Sequence, residues 1–166
     1  MTTIQPLDHL ALRGVDDAPA LVLREGVLSY KDLRSRVSRL AAWLKGRVPE
    51  PGARVATWAA KGELTCLMPL AAARAGLVHV PINPLLKRAQ AAHILADSGA
   101  SLLIANKARL TTLEPGDVPG GCELSDEAET LVQTHALYHG ADASQSDPGD
   151  LAAILYTSGS TGRPKG

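Results

Sequence analysis

The sequence predicts an α/β fold, a parallel sheet assembled from βαβ units with helices on its faces. Three observations point to it. Apolar runs of strand length, at 54–59, 77–82 and 101–105, alternate with two longer stretches, 63–75 and 89–97, that have helical character. Each longer stretch is closed by a glycine, Gly76 or Gly99, the residue that most readily takes the left-handed conformation ending a helix. Strand, helix, strand, helix, strand at this spacing calls for crossover connections, which make the strands parallel and cover both sides of the sheet.

Ahead of that core, residues 20–24 and 27–30 are short apolar stretches around Glu25-Gly26, the pattern of a small hairpin. A helix follows. Ser29 and Asp32 form an approximate capping box, Leu33, Val37, Leu40, Ala41 and Leu44 share one face, and Gly46 is the expected stop. Residues 49–52, Pro-Glu-Pro-Gly, are a turn leading into the first sheet strand. Pro69 interrupts the 63–75 helix. An interior proline costs about 3 kcal/mol, so the helix either kinks there or begins its regular part near it. Asn83-Pro84 closes the 77–82 strand. From 114 to 149 the pattern fades into Gly, Pro, Asp and Ser, with one short element near 129–137, and reads as surface connection. Residues 150–157 then restore a strand, ending in LAAILYT.

Composition excludes several functions. Of the 166 residues 45% are hydrophobic, ample for a core, so the chain is globular rather than disordered. Lys plus Arg equals Asp plus Glu at 17 each, so no overall field favours nucleic acid or an anionic membrane. Between 112 and 150 there are acidic residues and no Lys or Arg, which reads as a solvated acidic face. Without Phe, and with only Trp43, Trp58, Tyr30, Tyr138 and Tyr156 as aromatics, the chain lacks a stacking surface for single strands. Cys66 and Cys122 have no metal-ligand spacing and are expected to be free, as in a reducing compartment. No signal-like leader or run of about 18 apolar residues is present, so the expectation is a cytoplasmic protein with no transmembrane segment.

The chemistry lies in the tail. Ser158-Gly159-Ser160-Thr161-Gly162 sets two glycines among hydroxyl residues just beyond a strand, where the backbone can turn tightly and aim several N–H groups at one anion. Thr157, Ser158, Ser160 and Thr161 add donors, and Arg163 and Lys165 add positive charge; phosphate oxygens suit such a loop. It is not a Walker loop, because Lys165 is preceded by Pro164 and followed by Gly166, nor a dinucleotide GxGxxG. A flexible Ser/Gly linker has the same composition, but need not follow a strand directly or carry Arg-Pro-Lys at a fixed distance.

YTSGSTGRPKG, residues 156–166, resembles the phosphate-loop signature of the adenylate-forming, or AMP-binding, superfamily of acyl-CoA synthetases, luciferases and peptide-synthetase adenylation domains. LSYKDLRSRVSRLAAWL is similar to that family's early helix, PGARVATW to its first sheet strand, and AAARAGLVHVPINPLLKRAQAAHILADSGASLLI to the helix, strand, helix and strand that follow. Residues 106–149 show no family pattern. The resemblance implies that residues 1–166 are the amino-terminal portion of the large adenylation domain, an incomplete fold whose carboxy-terminal domain is absent.

It also implies a two-step reaction. A carboxylate attacks the α-phosphate of ATP carrying Mg2+, giving an acyl-adenylate and pyrophosphate, and the thiol of coenzyme A then takes the acyl group. In this reading Thr157, Ser158, Gly159, Ser160, Thr161, Gly162 and Lys165 bind the outer phosphates, with Lys165 the catalytic cation at the departing pyrophosphate. Arg163 reaches phosphate or solvent. No metal site is assigned within the chain, and no nucleic-acid partner; the partners are a carboxylic acid, ATP and coenzyme A. Alternatives are an amino-acid adenylation domain loading a carrier protein, to which residues 80–95 are less similar, and a non-catalytic module. The isolated chain is expected to be inactive. Three or four charge-assisted bonds of about 1.5–3 kcal/mol each barely meet an association cost of about 4–15 kcal/mol. His9, His79, His93, His135 and His139 read as packed or surface residues, His135 and His139 lacking a third metal ligand.

Overall fold

The computed structural model describes residues 4–158 and 164–166. A 3-10 helix, Leu7–Leu12, precedes the hairpin of β1 (Pro19–Leu23) and β2 (Gly26–Ser29), paired antiparallel. Helix α1 (Tyr30–Arg47) starts on the expected capping box: Asp32 N–H donates to Ser29 Oγ, and the Ser29 N–H returns to the Asp32 carboxylate. Gly46 does not end it. The helix runs on to Arg47, and Pro49 stops it by keeping Val48 out of the helical conformation (φ −129°, ψ 82°).

The central sheet is parallel, in the order β4–β3–β5–β6, with β3 Arg54–Trp58, β4 Val78–Pro81, β5 Ala100–Ala105 and β6 Glu123–Asp126. Between them, α2 (Glu63–Ala75) links β3 to β4 and α3 (Arg88–Ser98) links β4 to β5. These connections step in opposite directions along the sheet and lie on opposite faces, as a single crossover hand requires. On one face Val55, Leu102 and Ile104 pack under α1 and α2; on the other Ala56, Trp58, Val80 and Leu103 meet Ile94 and Leu95 of α3. Gly76 and Gly99 end α2 and α3 at φ 74° and 61°, as expected. Pro69 sits inside α2 without dividing it.

Two regions depart from the sequence reading. The stretch read as surface connection supplies strand β6, after a short helix α4 (Lys107–Leu110) that precedes the stretch; the short element expected near 129–137 is helix α5 (Glu127–His135), whose amino end is capped by the Asp126 carboxylate. Strand β6 is hidden in the sequence because Leu124 is its one large apolar residue and, among the described residues, it pairs on the β5 side alone. Its acidic neighbours are partly paired: Glu123 with Arg47, and Glu114 and Asp117 with Arg88.

The strand expected over 150–157 shrinks to one parallel bridge, Ala153 with His79, made by His79 N–H to Ala152 O (3.0 Å) and Ile154 N–H to His79 O (2.9 Å). Even-numbered residues of this part of β4 and its flanks bond inward, Val78 N–H to Ala53 O and Ile82 N–H to Thr57 O. Odd-numbered ones face the open edge, where the next rung would need an N–H from Pro81, which has none. The ladder stops there.

Candidate functional site

Freed from the sheet edge, the chain makes a small antiparallel pair, β7 (Thr157–Ser158) with β8 (Pro164–Lys165), in the register Thr157 to Lys165 and Ser158 to Pro164. Directly opposed residues of an antiparallel pair share a face. Thr157 and Lys165 are such a pair, and both are exposed; Pro164 is buried against the helix side. The structure thus sets a hydroxyl and an ammonium next to one another on the outward face. Gly159, Ser160, Thr161 and Gly162, expected to hold phosphate oxygens, lie outside the described residues, as does Arg163.

Helix α3 is the seat of this hairpin. His93 Nε2 is 3.0 Å from the Pro164 carbonyl oxygen. Tyr156, the residue before β7, donates its phenol O–H to Asp97 Oδ2 at 2.6 Å. Burial, reinforced by that bond to a carboxylate, pushes the Tyr156 phenol up to about 12, so it stays a proton donor throughout the ordinary pH range. Sequence alone makes His93 a packed or surface histidine and gives Asp97 and Tyr156 no role. A local signal exists, since His93 and Asp97 are four residues apart on a helix and share a face. Their partners lie 71 and 59 residues away in the chain and cannot be read from spacing.

His79 and His135 have structural partners. His79 is buried, with Nε2 2.8 Å from Thr57 Oγ1, and burial lowers it to about 4, so the ring is neutral. His135 meets Glu63 at 2.8 Å. Among the described residues no group of three or more His, Cys, Asp or Glu side chains is gathered to hold a metal ion. A cavity of about 590 Å³ opens at the amino ends of β3 and β4, bordered by Pro51, Gly76, Asp147 and Ala152, and does not include the exposed pair of the hairpin. No helix among the described residues is long and apolar enough to cross a membrane.

Comparison with known proteins gives this arrangement its context. The chain is 34% identical over 157 residues to the L-proline–[L-prolyl-carrier protein] ligase of Pseudomonas fluorescens, covering 89% of this chain and 30% of that protein. It is 31% identical over 152 residues to tyrocidine synthase 3 of Brevibacillus parabrevis, covering 90% of this chain and 2% of that one. Among solved structures, ATP-bound MatB from Rhodopseudomonas palustris superimposes with a TM-score of 0.85 at 26% identity, over 96% of this chain and 33% of that one. The chain therefore spans about a third, or much less, of the length of these proteins. The family model for the AMP-binding enzymes matches residues 8–166, from the 3-10 helix through the tail hairpin, and the chain belongs to that family.

Proposed function

We propose that the chain is the amino-terminal portion of the adenylation domain of a ligase that activates a carboxylic acid with ATP. The carboxylate attacks the α-phosphate, pyrophosphate leaves, and the acyl-adenylate is passed to a thiol. The observation that carries this reading is the outward pairing of Thr157 with Lys165 on the two arms of the signature hairpin, in a chain matched by the family model from residue 8 to residue 166. Charge on the leaving pyrophosphate grows as the P–O bond breaks, so a cation placed beside it lowers the barrier more than it tightens ATP binding. Lys165 takes that role. Thr157, Ser158, Gly159, Ser160, Thr161 and Gly162 supply hydroxyl and amide donors to the outer phosphates. Mg2+ arrives with the nucleotide and supplies further charge neutralisation on its phosphates.

The acceptor thiol divides the reading in two. Coenzyme A makes the protein an acid–thiol ligase of the acyl-CoA type; a carrier-protein thiol makes it an amino-acid-activating domain. The second is favoured by the relative named as a prolyl-carrier protein ligase. The first step is common to both. ATP–pyrophosphate exchange, measured with aliphatic, aromatic and amino acids on the polypeptide carrying the complete domain, tests it; absence of exchange with every acid refutes the proposal. Adding coenzyme A or a phosphopantetheinyl carrier protein then identifies the acceptor by which one consumes the adenylate. The isolated 166-residue chain should show no exchange above background.

A further inference from the structure

The cross-strand register of the hairpin continues one step outward from Thr157–Lys165 to Tyr156 and Gly166, and this pair is in close contact. A Cβ on Gly166 would lie 2.7 Å from Tyr156 Cζ, 2.9 Å from Tyr156 Cε2 and 2.8 Å from Ile154 Cγ2. The first and last residues of YTSGSTGRPKG are therefore partners, the aromatic ring occupying the space that the glycine leaves free. The same ring is fixed through its hydroxyl, borne by Cζ, to Asp97, and the returning arm is fixed by His93 through the Pro164 carbonyl. One face of α3 thus holds both arms, one turn of helix apart, while Thr157 and Lys165 point the other way.

We propose that His93, Asp97 and Tyr156 form a clamp that positions Lys165 and Thr157 for the outer phosphates of ATP, with Gly166 giving the Tyr156 ring its place. They are positioning residues and touch no substrate. The proposal rests on the functional reading above, because only a nucleotide-binding hairpin gains from having its arms held at fixed spacing. Tethering costs ordering entropy, and meeting that cost before ATP arrives leaves more of the binding energy for the phosphates. The bond between Tyr156 and Asp97 suits such a tether, because its donor is a rigid ring with two side-chain torsions and its acceptor is a carboxylate on a regular helix.

Two measurements test the clamp. In the polypeptide carrying the complete domain, Tyr156→Phe, Asp97→Ala and Gly166→Ala should each raise the KM for ATP about tenfold in pyrophosphate exchange. The KM for the carboxylic acid should stay within about twofold and the melting temperature within about 2 °C. The double variant Tyr156→Phe/Asp97→Ala should be no worse than the worse single one, since both delete one bond. Asp97→Asn, which keeps an acceptor, should recover most of the loss that Asp97→Ala suffers, and His93→Gln, which keeps a donor, most of the loss that His93→Ala suffers. An equal rise in both KM values with a lowered melting temperature would overturn the proposal, as would unchanged kinetics. Hydrogen exchange on the 166-residue chain reads the clamp without nucleotide: exchange at the amides of Thr157, Ser158 and Lys165 should quicken about fivefold or more in Tyr156→Phe and Asp97→Ala, with α1 and α2 unaffected. Unaltered exchange there sinks the clamp whatever the kinetics. If the wild-type enzyme activates no acid yet the hairpin amides respond, the functional reading fails and the clamp stands as a structural one.

Discussion

Replacing Asp8 by alanine should be among the most damaging single changes in the chain, for a reason visible in its surroundings. Asp8 and Arg74 are buried, at 0% and 4% side-chain exposure. Asp8 Oδ2 accepts from Arg74 Nε at 3.1 Å and from the Ser144 N–H at 3.0 Å, and Oδ1 accepts from Ser144 Oγ at 2.6 Å. One carboxylate therefore joins the 3-10 helix, α2 and the segment that leads back to the β4 edge. Removing it strands a guanidinium whose buried Nη2 already has no partner among the described residues. Breaking a buried pair by deleting one partner costs about 3–5 kcal/mol, and in a chain of this size each kcal/mol lowers the melting temperature by about 2–4 °C. Thermal unfolding followed by circular dichroism at pH 7 should show a fall on the order of 10 °C for Asp8→Ala, with much of it recovered in Asp8→Ala/Arg74→Leu. Burial raises the Asp8 pKa, but the two Ser144 hydrogen bonds and the Arg74 charge outweigh it and hold the carboxyl below its ordinary 3.8. A depressed carboxylate stabilises the fold above its unfolded value and loses that contribution as pH falls through the folded one. The gap between wild type and variant should thus be constant above about pH 4 and narrow below it. A fall of less than about 2 °C at pH 7 would refute the account.

His79 shifts the other way, from 6.5 to about 4, through burial. Its unfolded form binds a proton that the folded form refuses, so as pH falls between those values stability should drop by about 1.4 kcal/mol per pH unit, about 3 kcal/mol in all; urea midpoints measured from pH 7 to 4 should show this slope flattened in His79→Gln. Lys165→Ala should lower kcat in pyrophosphate exchange about 100-fold or more while changing the KM for ATP less, the mark of a charge that acts on the leaving group; the reverse pattern would make Lys165 a ground-state ligand only. Cys66 is exposed, whereas burial pushes the half-buried Cys122 thiol up to about 11, helped by Glu123. A disulfide reagent at pH 8 should therefore titrate one thiol quickly in the native chain and the second only after denaturation.

What the sequence discloses and what it withholds follow a physical line. The capping box at Ser29, the glycine ends of α2 and α3, and the apolar strands β3, β4 and β5 depend on neighbours within a turn or a strand, and all are legible. So is the signature carrying Thr157 and Lys165, because a loop's glycines, hydroxyls and cations stand in order along the chain. Strand β6 is not legible, since an edge strand with one large apolar side chain is defined by its partner β5 rather than by its own pattern. Gly46 misleads because the nearby Pro49, acting through Val48, sets the end of α1.

The tail shows most plainly why a correct motif can sit on an incorrect element. LAAILYT has every local mark of a strand, but a strand needs a neighbour with free donors. The open edge of β4 offers one N–H, at His79, before Pro81 closes it. Had residue 81 carried an N–H, the ladder could have continued to the carbonyl of Ile154, the adjoining chain would have been held to the sheet edge, and Tyr156 would have been drawn along it. With the rung missing, Leu155 stays exposed, the chain leaves the sheet after Ile154, and Tyr156 reaches Asp97 on α3 instead. A proline in one strand thus decides where the hairpin of another segment is seated, and the placement of Lys165 follows from a backbone donor that is absent 84 positions earlier.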